Sequence, residues 1–329
     1  MPWADAPCRE TVRKMIVRSS EKDMLSGSHL IYGPPGAGQY EVGRALAMTL
    51  LCPEVENDFC GACSVCQRIL AKTHPDYIEL RPEDDWEKPE RKGRDYSVGH
   101  MRLVMEFARL EPHEGERKIF LAHDAHRMTI AAANSLLKLL EEPHARLLFI
   151  LLSDNESAVL PTIRSRCRRI RLAPLEAQGL IDRLEGVSKS EAETIARAAG
   201  GLPEKAQSLI EGEYLQERDE ILKILQSVLK HEAAVTEAAD WLAKDRERMR
   251  DRLHILAGLL RDASLAACGA DGPYVNPDRL DVIQKESKAA SPEGWMIKAE
   301  SVLDSIEGLD RNWNPSLLFA KLFLEIRNG

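Results

Sequence analysis

The apolar positions along the chain change their spacing twice, which divides it into three parts. Up to about residue 173, short β-rich runs at 29–33 (HLIYG), 76–80 (DYIEL), 118–122 (KIFLA), 147–152 (LLFILL) and 169–173 (RIRLA) alternate with stretches of helical spacing. Strands separated by helices in this way predict an α/β domain over residues 1–173, a parallel sheet with its faces covered. KIFLA and LLFILL are the most continuous apolar runs and predict central strands buried on both faces. From 174 to 212, short helical patterns are broken by Gly186-Val187-Ser188 and by Gly200-Gly201-Leu202-Pro203, so a small helical domain is expected. From 213 to 329 the spacing stays helical apart from the turn-rich CGADGPYVNP at 268–277, which predicts a third, all-helical domain.

Two segments of the first part have a clear character of their own. MTIAAANSLLKLLEEP (128–143) predicts a helix with Thr129 as its N-cap and Pro143 just past its end. Its Ala133, Leu136, Leu137 and Leu140 form a packing face, and Asn134, Lys138 and Glu141 share the opposite, polar side. The segment 81–101, dense in charge, Pro and Gly, reads as a solvated connection rather than a site.

Charge narrows the choice of partners. Among 329 residues, 45 Lys and Arg stand against 53 Asp and Glu, a net charge of −8, so the surface as a whole is no polycation that grips nucleic acid. The first twenty residues carry charges throughout, and no stretch is long and uncharged enough to span a membrane. A cytoplasmic protein with no membrane partner is expected, one in which cysteines serve metal binding or simple burial rather than disulfides.

Gly33-Pro34-Pro35-Gly36-Ala37-Gly38 follows an apolar strand and precedes a helical pattern, the context of a phosphate-binding loop whose backbone N–H groups converge on an anion. Where a working loop places a Lys for the phosphates and a Ser or Thr for Mg²⁺, this chain has Gln39 and Tyr40. Gln39 is uncharged and Tyr40 too bulky, so hydrolysis here is expected to be crippled; weak nucleotide binding by the backbone and an empty tight turn both remain open. A second acidic pair is missing as well: KIFLAHDAHRM places His123 and Asp124 where an Asp-Glu pair would hold Mg²⁺ after the strand. Imidazole is a poor substitute, because Mg²⁺ prefers oxygen.

Cys52, Cys60, Cys63 and Cys66 lie within fifteen residues, with two overlapping Cys-x-x-Cys steps, and Gly61 and Ser64 allow tight turns between them. The spacing predicts a closed, structural Zn²⁺ site, against the alternative of buried or redox-active thiols. Cys8, Cys167 and Cys268 stand alone. LPTIRSRCRRIRLAP carries arginines at 164, 166, 168, 169 and 171. A solvated strand edge, a phosphate contact and an arginine finger in trans from Arg166 are all open, and the chemistry alone does not put the finger first.

Taken in order, GPPGAG, the four cysteines, THPDYIEL, AANSLLKLLEEP and RSRC resemble the bacterial sliding-clamp loader subunits of the AAA+ superfamily. The specific motifs cover about the first 170 residues; NWNPSLLFAKLFLEI (312–326) is similar to the end of the collar of those subunits. The resemblance implies a P-loop AAA+ sheet domain with a zinc-binding insertion, a lid over 174–212 and a helical collar that mediates oligomerisation over 213–329. It also implies a stator that does not hydrolyse ATP and offers Arg166 to a neighbour's ATP site. Its partners would be motor subunits of the gamma or tau type and a delta subunit, with the sliding clamp and primer-template DNA reached through the assembly. Motor subunits have Lys at 39, Ser or Thr at 40 and Asp-Glu at 123–124, and all four positions differ here. Glu204 stands where the motors carry a sensor arginine, and Ser153 occupies the first sensor position. An active gamma/tau-type ATPase with an unusual loop and a zinc-dependent nucleic-acid-binding regulator are the competing readings; the acidic balance counts against the second. No polymerase site is visible.

Overall fold

The run Leu147–Ser153 has almost no polar side chain to keep in water, and it becomes the middle strand of a sheet covered on both faces. In this computed structural model, which describes residues 3, 6–22, 24–25, 27–84, 95–141 and 146–328, five strands form one parallel sheet. They are β1 (Ser28–Tyr32), β2 (Tyr77–Leu80), β3 (Lys118–Ala122), β4 (Leu147–Ser153) and β5 (Arg168–Arg171), in the order β2-β3-β4-β1-β5. All five expected strands are present, and the two most apolar, β3 and β4, are interior and buried at every position.

Alternation along the strands sorts side chains between two cores. Leu148, Ile150 and Leu152 of β4 pack with Val42 and Leu46 of helix α2 (Gln39–Leu51), which follows α1 (Glu10–Glu21), and with Ile69 of α3 (Ser64–Leu70). Leu147, Phe149 and Leu151 face the other way, against Met101 and Val104 of α4 (Val98–Arg109) and Leu136 and Leu140 of α5 (Ile130–Glu141). Gly43 lets α2 lie close to the sheet: a Cβ there would stand 3.0 Å from the side chains of both Leu121 and Leu152. The Thr129 hydroxyl accepts from the Ala132 N–H at 3.2 Å, the expected cap of α5. The expected stop at Pro143 and most of the charged connection from 81 to 101 fall outside the described residues.

Register determines where chemistry can occur. Tyr32 at the end of β1 pairs with Ser153 of β4 and Arg171 of β5, and Leu80 with Ala122, so the residues after these strands emerge along one edge of the sheet. After the short α6 (Pro161–Arg164), β5 exposes Arg168, Arg169 and Arg171 and buries only Ile170, which guards an open sheet edge with charge.

Contacts divide the chain into two units, Met1–Gly179 with Gly201–Glu204, and Leu180–Gly200 with Lys205–Gly329. Helices α7 (Ala177–Ile181), α8 (Lys189–Ala198), α9 (Pro203–Glu211), α10 (Tyr214–Lys230), α11 (Ala234–Ala243), α12 (Met249–Ala267), α13 (Leu280–Glu286), α14 (Pro292–Asp310) and α15 (Pro315–Asn328) make up the rest. The core of the second unit is built on Leu253, Leu256 and Leu260 of α12, Trp295 and Val302 of α14, and Phe319 and Phe323 of α15. The break expected at 268–277 follows α12, and the buried Asp262 carboxylate pins it through the N–H groups of Val275 and Asn276 at 2.9 and 2.8 Å. Arg218, 1% exposed at its side chain, is paired with Asp278 at 2.7 Å and Asp219 at 2.8 Å.

THPDY ahead of β2 is a structural clamp. The buried Asp76 carboxylate accepts from the backbone N–H groups of His113, Glu114 and Gly115 at 2.6, 2.8 and 2.9 Å, tying down the turn that leads into β3. Burial alone would raise its pKa, and these three donors hold it below the ordinary value. Asp76→Ala leaves the three donors unmatched, and a loss of about 3 kcal/mol is expected in urea unfolding. In the parent chain this contribution is complete above the ordinary carboxylate pKa and fades as pH falls through the depressed one, so the two proteins should converge in stability toward acid.

Candidate functional site

The glycine loop has the shape of a phosphate cradle, and its interior is already taken. Gly36 and Gly38 hold φ at +79° and +88°, which only glycine adopts without strain, and α2 begins at Gln39. The Gln39 side chain turns back into the loop, 8% exposed, and its Nε2 donates to the carbonyls of Gly33 and Pro34, each at 2.9 Å. Both N–H donors of the carboxamide are thereby engaged. What it has left is a carbonyl oxygen, which repels a phosphate where a lysine would attract it. The chain's own Pro7 also lies against the loop: a Cβ on Gly38 would stand 2.8 Å from its ring.

The next two departures meet at a residue that motif reading missed. The Tyr40 hydroxyl donates to Glu79 Oε2 at 3.2 Å and accepts from Arg44 at 2.9 Å. The Tyr77 hydroxyl donates to the same Oε2 at 3.0 Å, while His123 Nε2 and Lys72 Nζ reach Oε1 at 3.0 and 2.6 Å. The rings of Tyr40 and His123 lie 4.9 Å apart. Burial of the Glu79 side chain, 1% exposed, pushes its pKa up, but hydrogen bonds from His123 and Lys72 outweigh that and bring it down to about 2. Nothing local in YIEL announces this; only the adjacency of β2 and β3 brings Glu79 to His123 and the start of α2.

Beside this network lies a cleft of about 420 Å³, at the strand ends where a nucleotide would sit. Its lining includes five carboxylates, Glu41, Glu83, Asp124, Asp154 and Glu204, against one guanidinium, Arg81. Burial and then the charge of Glu41 raise the pKa of Glu204. A triphosphate would enter a field of its own sign. The Ser153 hydroxyl is 3.1 Å from His126 Nδ1 and accepts from the Asn155 N–H at 3.1 Å, so it is engaged within its own turn.

The four cysteines converge. The Sγ atoms of Cys52, Cys60, Cys63 and Cys66 all lie within 4.8 Å of one another, with Cys52 3.8 Å from Cys60 and 4.0 Å from Cys63. A tetrahedral thiolate site with Zn–S bonds of about 2.3 Å needs S–S separations of about 3.8 Å, so the set can hold a metal ion. N–H groups of Cys63 and Cys66 point at the sulfurs of Cys60 and Cys63, at 3.2 and 3.4 Å. Backbone donors from Ala62 and Cys63 draw the Cys60 thiol down to about 7, which favours the ligating thiolate. Gly61, at φ +69°, makes the expected turn; Ser64 instead opens α3, with Cys63 as its cap. The cluster thus joins the end of α2 to the start of α3.

Arg166 stands apart from the loop. Its Nε donates to Glu141 Oε1 at 2.9 Å, Nη2 contacts the same oxygen, and Nη1 donates to the Thr162 carbonyl at 3.0 Å. Its neighbours on β5 are engaged separately, Arg168 with the Met24 carbonyl and Arg169 with Glu156.

A glycine loop between strand and helix, a five-stranded parallel sheet in this order and an all-helical remainder define an AAA+-type P-loop fold. The family described as "DNA polymerase III, delta subunit" matches residues 8–176, and "DNA polymerase III, delta subunit, C terminal" matches 212–328. DNA polymerase III subunit delta' of Escherichia coli (strain K12) is 33% identical over 314 residues, 91% of this chain and 88% of that one. The subunit of the same name from Bacillus subtilis (strain 168) is 26% identical over 97% of this chain and 96% of its own length. The chain belongs to the DNA polymerase III delta' subunit family. A solved gamma-subunit-related protein from Thermotoga maritima is 18% identical, covers 95% of this chain and 97% of its own, and superposes with a TM-score of 0.41.

Glu79 sets a pH test. Because its folded pKa of about 2 lies below the ordinary 4.5, the stability it confers is present above pH 4.5 and lost as pH falls toward 2. Glu79→Gln is expected to cost about 3 kcal/mol at neutral pH in urea titrations and to flatten the acid dependence in that window.

Proposed function

We propose that this chain works in the clamp-loader complex as a stator, a subunit that binds its neighbours and does not itself hydrolyse ATP. The observation that carries the proposal is the occupied loop: Gln39 engages the carbonyls of Gly33 and Pro34, and Tyr40 and His123 are committed to Glu79. No lysine, magnesium hydroxyl or carboxylate pair stands at those positions, and the cleft beside them is acidic. On this reading 1–173 is the AAA+ domain, 174–212 the lid and 213–329 the collar.

Arg166 is the residue assigned to chemistry, supplied in trans to the ATP site of an adjacent gamma- or tau-type motor. A guanidinium positioned at a developing phosphoryl charge accelerates hydrolysis strongly. In the isolated chain it is neutralised by Glu141, so serving a neighbour means exchanging that carboxylate for phosphate oxygens. The delta subunit, the sliding clamp and primer-template DNA complete the assembly, which works in the cytoplasm; no helix among the described residues is long and apolar enough to cross a membrane. Zn²⁺ is the metal assigned to the four cysteines, in a structural role with no open position for substrate.

Two measurements test these assignments. In a reconstituted loader, Arg166→Ala is expected to slow clamp- and DNA-stimulated ATP hydrolysis by about tenfold or more without dissociating the complex, while the lone chain stays silent. Hydrolysis by the lone chain, or an unchanged rate with the variant in an intact complex, would refute the stator. Metal analysis of the purified chain should find zinc equimolar with protein, and Cys63→Ser should lose it with a fall in melting temperature. Zinc retained by that variant would exclude the four-thiolate site.

A further inference from the structure

Arg166 is held within its own chain from two sides. Its Nε and Nη2 both meet Oε1 of Glu141, while its Nη1 donates to the Thr162 carbonyl at 3.0 Å and to the Ser165 hydroxyl at 3.3 Å. Most of the N–H donors of the guanidinium are thereby engaged. The edge that Glu141 occupies, formed by Nε and Nη2, is one with which an arginine grips two phosphate oxygens side by side. In this state neither the charge nor the fork is free for a ligand.

Glu141 stands where helix stability does not favour an acid. It is the last residue of α5, at the end where the aligned peptide dipoles place partial negative charge and a cation is preferred. What it gains there is Arg166, in the turn after α6. The Arg166 and Glu141 side chains are 32% and 49% exposed, so water screens the pair and a competing anion can displace the carboxylate. The nearby Arg169 has an acid of its own, Glu156, at 3.0 Å, so the two pairs are separate.

We propose that Glu141 is a latch on the arginine finger, an inference that rests on the stator reading. The carboxylate keeps Arg166 folded back on its own subunit, and phosphate oxygens of the neighbour's ATP take its place once clamp and DNA bring that site within reach. The latch restrains hydrolysis in the unstimulated complex and is released in the stimulated one.

ATP hydrolysis by the reconstituted loader, measured without clamp and DNA and then with both, tests it. Glu141→Gln keeps the size of the side chain and removes its charge. It should raise the unstimulated rate by about two- to fivefold, the range in which an exposed ion pair acts, and leave the stimulated rate within about twofold of the parent's. Placed on Arg166→Ala, the same change should do nothing, a result that a merely structural carboxylate would not give. Glu156→Gln, which breaks the Arg169 pair, should leave both rates as they are. The latch is overturned by an unchanged or lower unstimulated rate in Glu141→Gln, by a rise that persists on Arg166→Ala, or by an equal rise in Glu156→Gln. If Arg166→Ala itself leaves the stimulated rate of an intact complex unchanged, the stator reading falls and the latch with it.

Discussion

A carboxylate cannot leave water alone, and the burial of Glu79 sets the arrangement at the carboxyl-terminal edge of the sheet. One oxygen takes the hydroxyls of Tyr40 and Tyr77, the other takes His123 and Lys72. These groups come from β2, the residue after β3, the start of α2 and the turn before β2, so a single anion ties together elements that share no local sequence. The parallel register makes this possible, because it ends neighbouring strands at one level and leaves their following residues side by side.

The same arrangement accounts for the altered loop. A phosphate cradle needs free N–H donors, a cation and an oxygen ligand for Mg²⁺. Here the residue in the cation's place donates to the loop's own carbonyls, the aromatic residue in the hydroxyl's place reaches across to Glu79, and the cleft is lined by five carboxylates. Backbone geometry is kept, with Gly36 and Gly38 at positive φ, while electrostatics are inverted. Shape and charge have separated.

Much of the architecture was legible because buried parallel strands have a simple signature. KIFLA and LLFILL are continuous apolar runs, and no helix or edge strand competes for that pattern at their length. The cysteine cluster and the loop were equally readable, since their ligands and glycines lie close together in sequence. Glu79 was not: its partners are contributed by residues 40, 72, 77 and 123, and only strand order makes them neighbours. Asp76 was hidden for the same reason, its donors being backbone groups nearly forty residues away. The pairing of Arg166 with Glu141 was also out of reach, although both residues stood in motifs that had drawn notice separately.

The Tyr40–Glu79–His123 arrangement couples positions that lie far apart in the sequence. An aspartate at 123 would stand against the carboxylate that His123 touches at 3.0 Å, and a threonine at 40 would leave Arg44 and Glu79 each short of a partner. Each of these single changes leaves a charged or polar group without its present partner. The network therefore makes its positions interdependent: a substitution at 40, 44 or 123 is felt at Glu79, and its cost depends on what stands at the others.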